Sequence, residues 1–215
     1  MAPDFEYFIR MRPVGHIGHT IGGIFYFDLP VTFLTAYLFH LLIRNPLSEQ
    51  LPEPIRGRLS TYSDFDWNSY VLRHGFYLVM SILIGISSHI LWDSFTHANG
   101  IFVQQIEFLS QSVYLFHYRI PTYKVLQHSS TLAGAFVLFL VFIKLPTKKV
   151  PRVAFSMLFW TSLVVVALSV MVIRWICGLS LYDYGSTIVS GISAIIIGLS
   201  VASALYITVN SPKHA

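Results

Sequence analysis

The chain alternates between long apolar runs and shorter polar connections. The runs cover 21–43, 75–97, 129–145, 153–173 and 187–209, and each is about the 17 to 25 residues a helix needs to cross hydrocarbon. Five crossings are therefore predicted, arranged as an all-α, polytopic transmembrane helix bundle that makes a single membrane domain of residues 1–215. The first run carries Asp28 and Pro30, which predicts either one kinked helix or a half-helix starting after Asp28-Leu29. No repeat of solenoid length and no low-complexity tract interrupts this organisation.

Two connections are long. Residues 45–73 are polar and broken by Pro46, Pro52 and Pro54, so an irregular loop is expected. Residues 98–128 set Gln104, Gln105, Glu107, Ser110 and Gln111 between apolar residues, the pattern of a helix lying in the membrane interface. Such a helix either packs over the bundle or acts as a lid.

Composition agrees with the pattern. Hydrophobic residues make up 54% and charged residues 11%, and a mean hydropathy of +0.63 excludes an ordinary soluble domain. The pI near 9.2 would suit a nucleic-acid partner, but the basic residues sit in the connections, where the lipid bilayer itself accounts for them. Residues 44–73, residues 144–152 and the tail with Lys213 hold nine Lys and Arg, against five on the other side: Arg10, Arg12, Arg119, Lys124 and Arg174. The excess places the first set, with the C-terminus, in the cytoplasm. Residues 1–20 then form an outer leader, and 98–128 and the His97 end of the second run lie outside. No signal peptide is visible in residues 1–15. The short leader therefore crosses as a tail, or a further helix precedes Met1. The single cysteine, Cys177, allows no internal disulfide.

The second run contains His89-Ile-Leu-Trp-Asp93-Ser-Phe-Thr-His97. At the α-helical spacing these three side chains fall within about 80° of arc and climb roughly 12 Å along one helix face. Ionisable residues in a membrane span are costly and point to a site. Side chains four apart on a helix can chelate one ion, but His89 and His97 are too far apart for one ion to reach both easily. Two arrangements remain: Asp93 bridging two ions, with His89 on one and His97 on the other, or one ion on an adjacent pair with the third residue behind it. A third account, without metal, is a hydrogen-bonded polar cluster that glues helices together.

The leader offers partners in Asp4, His16 and His19, and Gly15, Gly18, Gly22 and Gly23 would let its backbone come close to a neighbouring helix. Asp28 is either a helix cap before Pro30 or a ligand. His40 is a packing or snorkelling residue, and Gln127-His128-Ser129-Ser130 either caps the third span or reaches the outer site. His74, His117 and His214 are surface residues, and Trp67, Trp92, Trp160 and Trp175 suit interface belts and packing. The absence of a Gly-rich phosphate loop, a CxxC pair and a nucleophile elbow removes nucleotide, thiol-redox and ordinary serine-hydrolase chemistry.

Pro3-Asp4-Phe5-Glu6-Tyr7-Phe8, Gly18-His19-Thr20, Asp28-Leu29-Pro30, the His89 to His97 motif and Leu126-Gln127-His128-Ser129-Ser130 together resemble an uncharacterised bacterial membrane family, a domain of unknown function. The order of elements is similar to that of the LexA-regulated inner-membrane metal-dependent hydrolases, with their Pro-Asp, His-Ser or His-Thr and His-x-x-x-Asp motifs. The resemblance covers the first 130 or so residues. It implies that Asp4, His19, His89 and Asp93 are metal ligands, with His97 as the family's terminal histidine. It also implies a helix ahead of Met1 bearing an early Ser-His pair, which would give six spans with both ends inside.

The expectation is a bacterial inner-membrane, metal-dependent hydrolase, with a divalent metal, zinc by ligand type, acting on a phosphoester or similar bond in a lipid or envelope substrate. Asp4, His19, His89, Asp93 and His97 are its metal ligands, and His16 or His128 its base. Two alternatives stay open: a metal-ion or proton transporter or channel using the same residues, and a structural or assembly protein with a polar packing cluster.

Overall fold

The computed structural model of the chain describes residues 2–115, 117–151, 153–180 and 182–210. Arg152, Lys213 and His214, and with them the C-terminal tail, lie outside the described residues. The fold is helical apart from one small hairpin. Five helices are long and apolar enough to cross a membrane, as the apolar runs predict. The residues cluster into two compact units, Met1–Ile82 with Thr147–Ala215, and Leu83–Pro146.

In the first unit, a short helix α1 (Phe5–Arg10) precedes the first span, α2 (Ile21–Gln50). Pro30 does not divide α2. The turn before it widens into a π segment, Ile24–Asp28, and a second π segment follows at Leu38–Ile43. A wide turn absorbs the proline ring and its missing N–H without ending the helix. Asp28 makes no side-chain capping bond and is fully buried inside the continuous helix, so the capping role expected of it is not observed.

The connection after α2 is not the irregular loop its prolines suggest. Pro46 lies inside α2, just after its second π segment, as Pro30 follows the first, and Pro52 and Pro54 open helix α3 (Glu53–Leu59). At a first turn proline loses no helical bond, so Pro52 and Pro54 start a helix instead of breaking one. Helix α4 (Trp67–Thr96) follows. His74 has non-helical backbone angles, one residue before the apolar run begins at Gly75.

Helices α8 (Met157–Ile176) and α9 (Tyr184–Asn210) complete this unit and pack closely on each other. Along α9, Ser186, Ser190, Ala194, Gly198 and Ala202 recur every four residues, and all five are buried. A Cβ on Gly198 would lie 2.8 Å from the Leu163 carbonyl oxygen of α8. Small residues permit this approach, and dispersion then holds helices that have no hydrophobic drive to associate in lipid. At one end, Ser193 Oγ donates to Phe8 O (2.8 Å), and Arg174 Nη2 and Ser190 Oγ donate to Met11 O (3.0 and 3.2 Å). These bonds occupy carbonyls that the end of α1 leaves open. At the other end, Gln50 Oε1 accepts from Ser156 N (2.8 Å), and Gly57 O accepts from Lys148 N (3.0 Å).

The second unit holds the carboxyl-terminal part of α4, two helical turns α5 (Ile101–Gln105) and α6 (Glu107–Ser110), the antiparallel hairpin β1 (Ser112–Leu115) and β2 (Tyr118–Pro121), and span α7 (Thr122–Lys144). The connection at 98–128 is thus not one interfacial helix. Ile106 takes extended angles (φ −100°, ψ 100°) that divide it, and Val113, Tyr114, Tyr118 and Ile120 supply the branched and aromatic residues that favour strands. Trp92 Nε1 donates to Ser130 Oγ (3.2 Å), tying α4 to α7. No residue of α7 is buried, which suits a helix solvated by hydrocarbon.

Replacing Gly198 with Leu drives a side chain into the α8 backbone and is expected to cost about 1–3 kcal/mol, the range for overpacking. The same change at Gly191, where a Cβ meets nothing within 4 Å, should be tolerated. Melting temperatures of the two variants in detergent check this.

Candidate metal centre

On α4 the four-residue spacing does what the sequence predicts. Asp93 Oδ2 lies 3.2 Å from His89 Nε2, and Oδ1 lies 3.5 Å from His97 Nδ1, so each carboxylate oxygen serves one histidine. His89 and Asp93 are mostly covered, with side chains 22% and 16% exposed, while His97 is 48% exposed. His97 has further neighbours: Thr96 Oγ1 lies 3.4 Å from Nδ1, and Gln127 Nε2 of α7 lies 3.4 Å from Nε2. Gln127 donates to that ring nitrogen in the tautomer that carries its proton on Nδ1, facing Asp93.

The leader is folded around Glu6. Its side chain is buried, and its two oxygens accept from the backbone N–H groups of His16 (3.0 Å to each), Ile17 (2.8 Å) and Gly18 (3.0 Å), and from Arg10 Nε (2.9 Å). Three successive N–H groups converging on a carboxylate form an anion nest. Burial pushes the Glu6 carboxyl up, but the backbone bonds from His16, Gly18 and Ile17 and the Arg10 guanidinium outweigh it and lower it from the ordinary 4.5 to about 2. Gly18 is needed at close range: a Cβ there would lie 2.6 Å from Pro3 O and 3.0 Å from Asp28 Oδ1. The nest carries His19 back toward the start of the leader, with Nε2 4.0 Å from Asp4 Oδ1 and its ring stacked on Tyr7 at 5.9 Å. The glycines of this segment thus serve the leader's own fold. Gly23 would strike the Ile17 carbonyl if it bore a side chain.

Each half therefore presents one carboxylate and one imidazole close together. Two donors on a tetrahedral ion with bonds of about 2 Å stand roughly 3.3 Å apart, and the separations of 3.2 Å in one half and 4.0 Å in the other lie near that value. Asp4 with His19, and His89 with Asp93, are each a carboxylate–imidazole pair of the oxygen and nitrogen type that suits zinc and its first-row neighbours. The two residues expected to act as bases have exposed side chains. His16 takes part through its backbone N–H on Glu6, and at the start of α7 it is Gln127 and Ser130, not His128, that bond to α4. Glu6 is the residue that sequence reasoning passed over, and in the Gln127-His128-Ser129-Ser130 stretch it is Gln127 that reaches His97. The signal for Glu6 was an acid between two aromatics, shortly before a Gly-rich turn able to offer its N–H groups.

Glu6→Gln replaces a carboxylate oxygen with an amide that faces donors. The backbone amides of His16, Ile17 and Gly18 should then exchange roughly tenfold faster or more, as read by hydrogen exchange. In the unaltered chain, the carboxyl is depressed in the folded state, so its contribution is present above pH 4.5 and is lost as the pH falls toward 2. Protection of the same amides should follow that course.

No curated protein and no solved structure matches the chain. The model of the family described as Domain of unknown function (DUF4184) matches residues 1–205. With nearly its whole length covered, including both the leader and the His/Asp helix, the chain belongs to the DUF4184 family of membrane proteins.

Proposed function

We propose that this protein is a metal-dependent hydrolase of the bacterial inner membrane, in which Asp4 and His19 of the leader and His89 and Asp93 of α4 hold one divalent ion, zinc by donor type. Its substrate is a phosphoester or similar bond in a lipid or envelope molecule, reached from the outer leaflet. The observation that carries this reading is the His89–Asp93 pair, 3.2 Å apart on a membrane-crossing helix, where an aspartate is too costly to keep without a partner or a task. The order of motifs, which resembles that of the LexA-regulated inner-membrane hydrolases, is in keeping with it.

A divalent ion in such a site supplies Lewis acidity, which activates water near neutral pH and polarises the scissile group. The chain's own residues do the rest. His97 holds the second oxygen of Asp93 and limits its rotation, and Gln127 in turn orients the His97 ring, the kind of outer support that commonly accounts for 10- to 100-fold in affinity or activity. Glu6 keeps His19 beside Asp4. The exposed imidazoles of His16 and His128 are placed to exchange protons with solvent.

Elemental analysis of the purified chain tests the reading. Wild type should hold ~1 divalent ion per chain, and Asp93→Ala and His89→Ala should lose it, together with hydrolysis of phosphodiester test substrates. His97→Ala should retain metal with roughly 10- to 100-fold lower affinity. Equal, substoichiometric metal in all of these proteins would sink the proposal. Proteoliposomes add a second arm: hydrolysis without ion flux is expected, and flux abolished by Asp93→Asn would assign the same residues to transport.

A further inference from the structure

At the other end of the first unit, where α2 ends and α8 begins, two recesses adjoin. The smaller, about 640 Å³, is walled by Glu49, Gln50, Glu53, Arg56, Phe155 and Trp160 among others. Two N–H donors on this wall, Arg56 Nε and Trp160 Nε1, are closed off from solvent and have no hydrogen-bond partner among the described residues, and a third closed-off donor, Gln50 Nε2, has the Tyr206 hydroxyl as its one described neighbour. Unmet buried donors are rare in folded proteins because each forfeits its bonds to water.

Two of these side chains are pinned by their other polar atoms. Gln50, only 6% exposed, has its Oε1 fixed by Ser156 N at 2.8 Å, which commits the amide nitrogen to the opposite side. Arg56 donates Nη2 to Pro151 O at 2.5 Å and Nη1 to Glu49 O at 3.4 Å, which leaves Nε. A set of donors held in this way calls for an acceptor with several oxygens, and phosphate is the common one.

Charge narrows the choice. Among the described residues, Glu49 and Glu53 share this wall with the Arg56 guanidinium, so a ligand pairing a phosphate with an ammonium group satisfies both signs, which a bare anion does not. The second recess, about 740 Å³, shares Glu49, Leu51, Arg56 and Val153 with the first and is otherwise lined largely by apolar residues such as Phe39, Leu47, Leu59 and Phe65. Both recesses lie at the ends of membrane-crossing helices, α2 ending at Gln50 and α8 starting at Met157, the level at which lipid headgroups sit.

We infer that this paired recess binds an aminophospholipid, with its phosphate on Gln50, Arg56 and Trp160, its ammonium between Glu49 and Glu53, and acyl chain in the apolar recess. The inference uses none of the His/Asp donors and stands whether or not the hydrolase reading does.

Native mass spectrometry of the full-length chain, titrated with phosphatidylethanolamine or phosphatidylglycerol, tests it. Phosphatidylethanolamine should be retained roughly tenfold more, and Glu49→Gln with Glu53→Gln should narrow that preference. Trp160→Phe keeps an aromatic ring but removes the indole N–H, and Arg56→Lys keeps the charge but removes the guanidinium N–H groups. Each should lower phosphatidylethanolamine retention about tenfold with little change in melting temperature. Equal retention of the two lipids by the wild-type chain would overturn the inference, as would folded variants that bind like wild type. Displacement of the lipid by soluble phosphoethanolamine would also overturn it, because the headgroup alone would then suffice.

Discussion

The leader has only one six-residue helix, and its turn at 16–18 is held by the charge-assisted bonds made by Glu6. Burying a carboxylate costs several kcal/mol unless donors meet it, and here backbone N–H groups and Arg10 do so. The consequences run outward from that point. The turn at 16–18 is drawn against Pro3, His19 is set beside Asp4, and the last turn of α1 ends with its carbonyls on Ser190, Ser193 and Arg174. A segment that composition alone would leave as a loose tail thus takes one defined conformation, with His19 held beside Asp4.

Lipid as a solvent explains how differently the spans are built. Between α8 and α9 the backbones come close because small residues line the contact, and packing density supplies what hydrophobicity cannot. α7 buries nothing and turns Leu132, Phe136 and Leu138 outward. That surface would be a liability in water, but it costs nothing in hydrocarbon. On the α4 face the polar side chains pair with one another, Asp93 with His89 and with His97.

The five spans were legible in the sequence because crossing hydrocarbon demands length and apolarity, and both can be read from residue order. The His89, Asp93 and His97 face was legible for a similar reason, since helical spacing is a fixed geometry. Where meaning depended on position within an element, legibility failed. Pro52 and Pro54 read as breakers, yet proline at a first turn is a helix starter, and only the fold says which turn is first. Residues 98–128 read as one amphipathic helix, but strand pairing between Val113 and Ile120 is a non-local choice that no single stretch announces. Selecting Gln127 over His128 as the neighbour of His97 requires the rotation of α7 about its axis, which differs by about 100° from one residue to the next.

The wide turns of α2 bear on how that span tolerates changes in length. An α-helix that gains or loses one residue rotates everything beyond the change by about 100°, which usually turns a buried face to the outside. A π segment is one residue of slack already taken in. A deletion within Ile24–Asp28 could therefore be absorbed by tightening to an ordinary turn, with the helix intact but Asp28 swung off the Gly18 backbone it now faces. The first span thus has two places, Ile24–Asp28 and Leu38–Ile43, where its two ends can be re-aimed independently without being rebuilt.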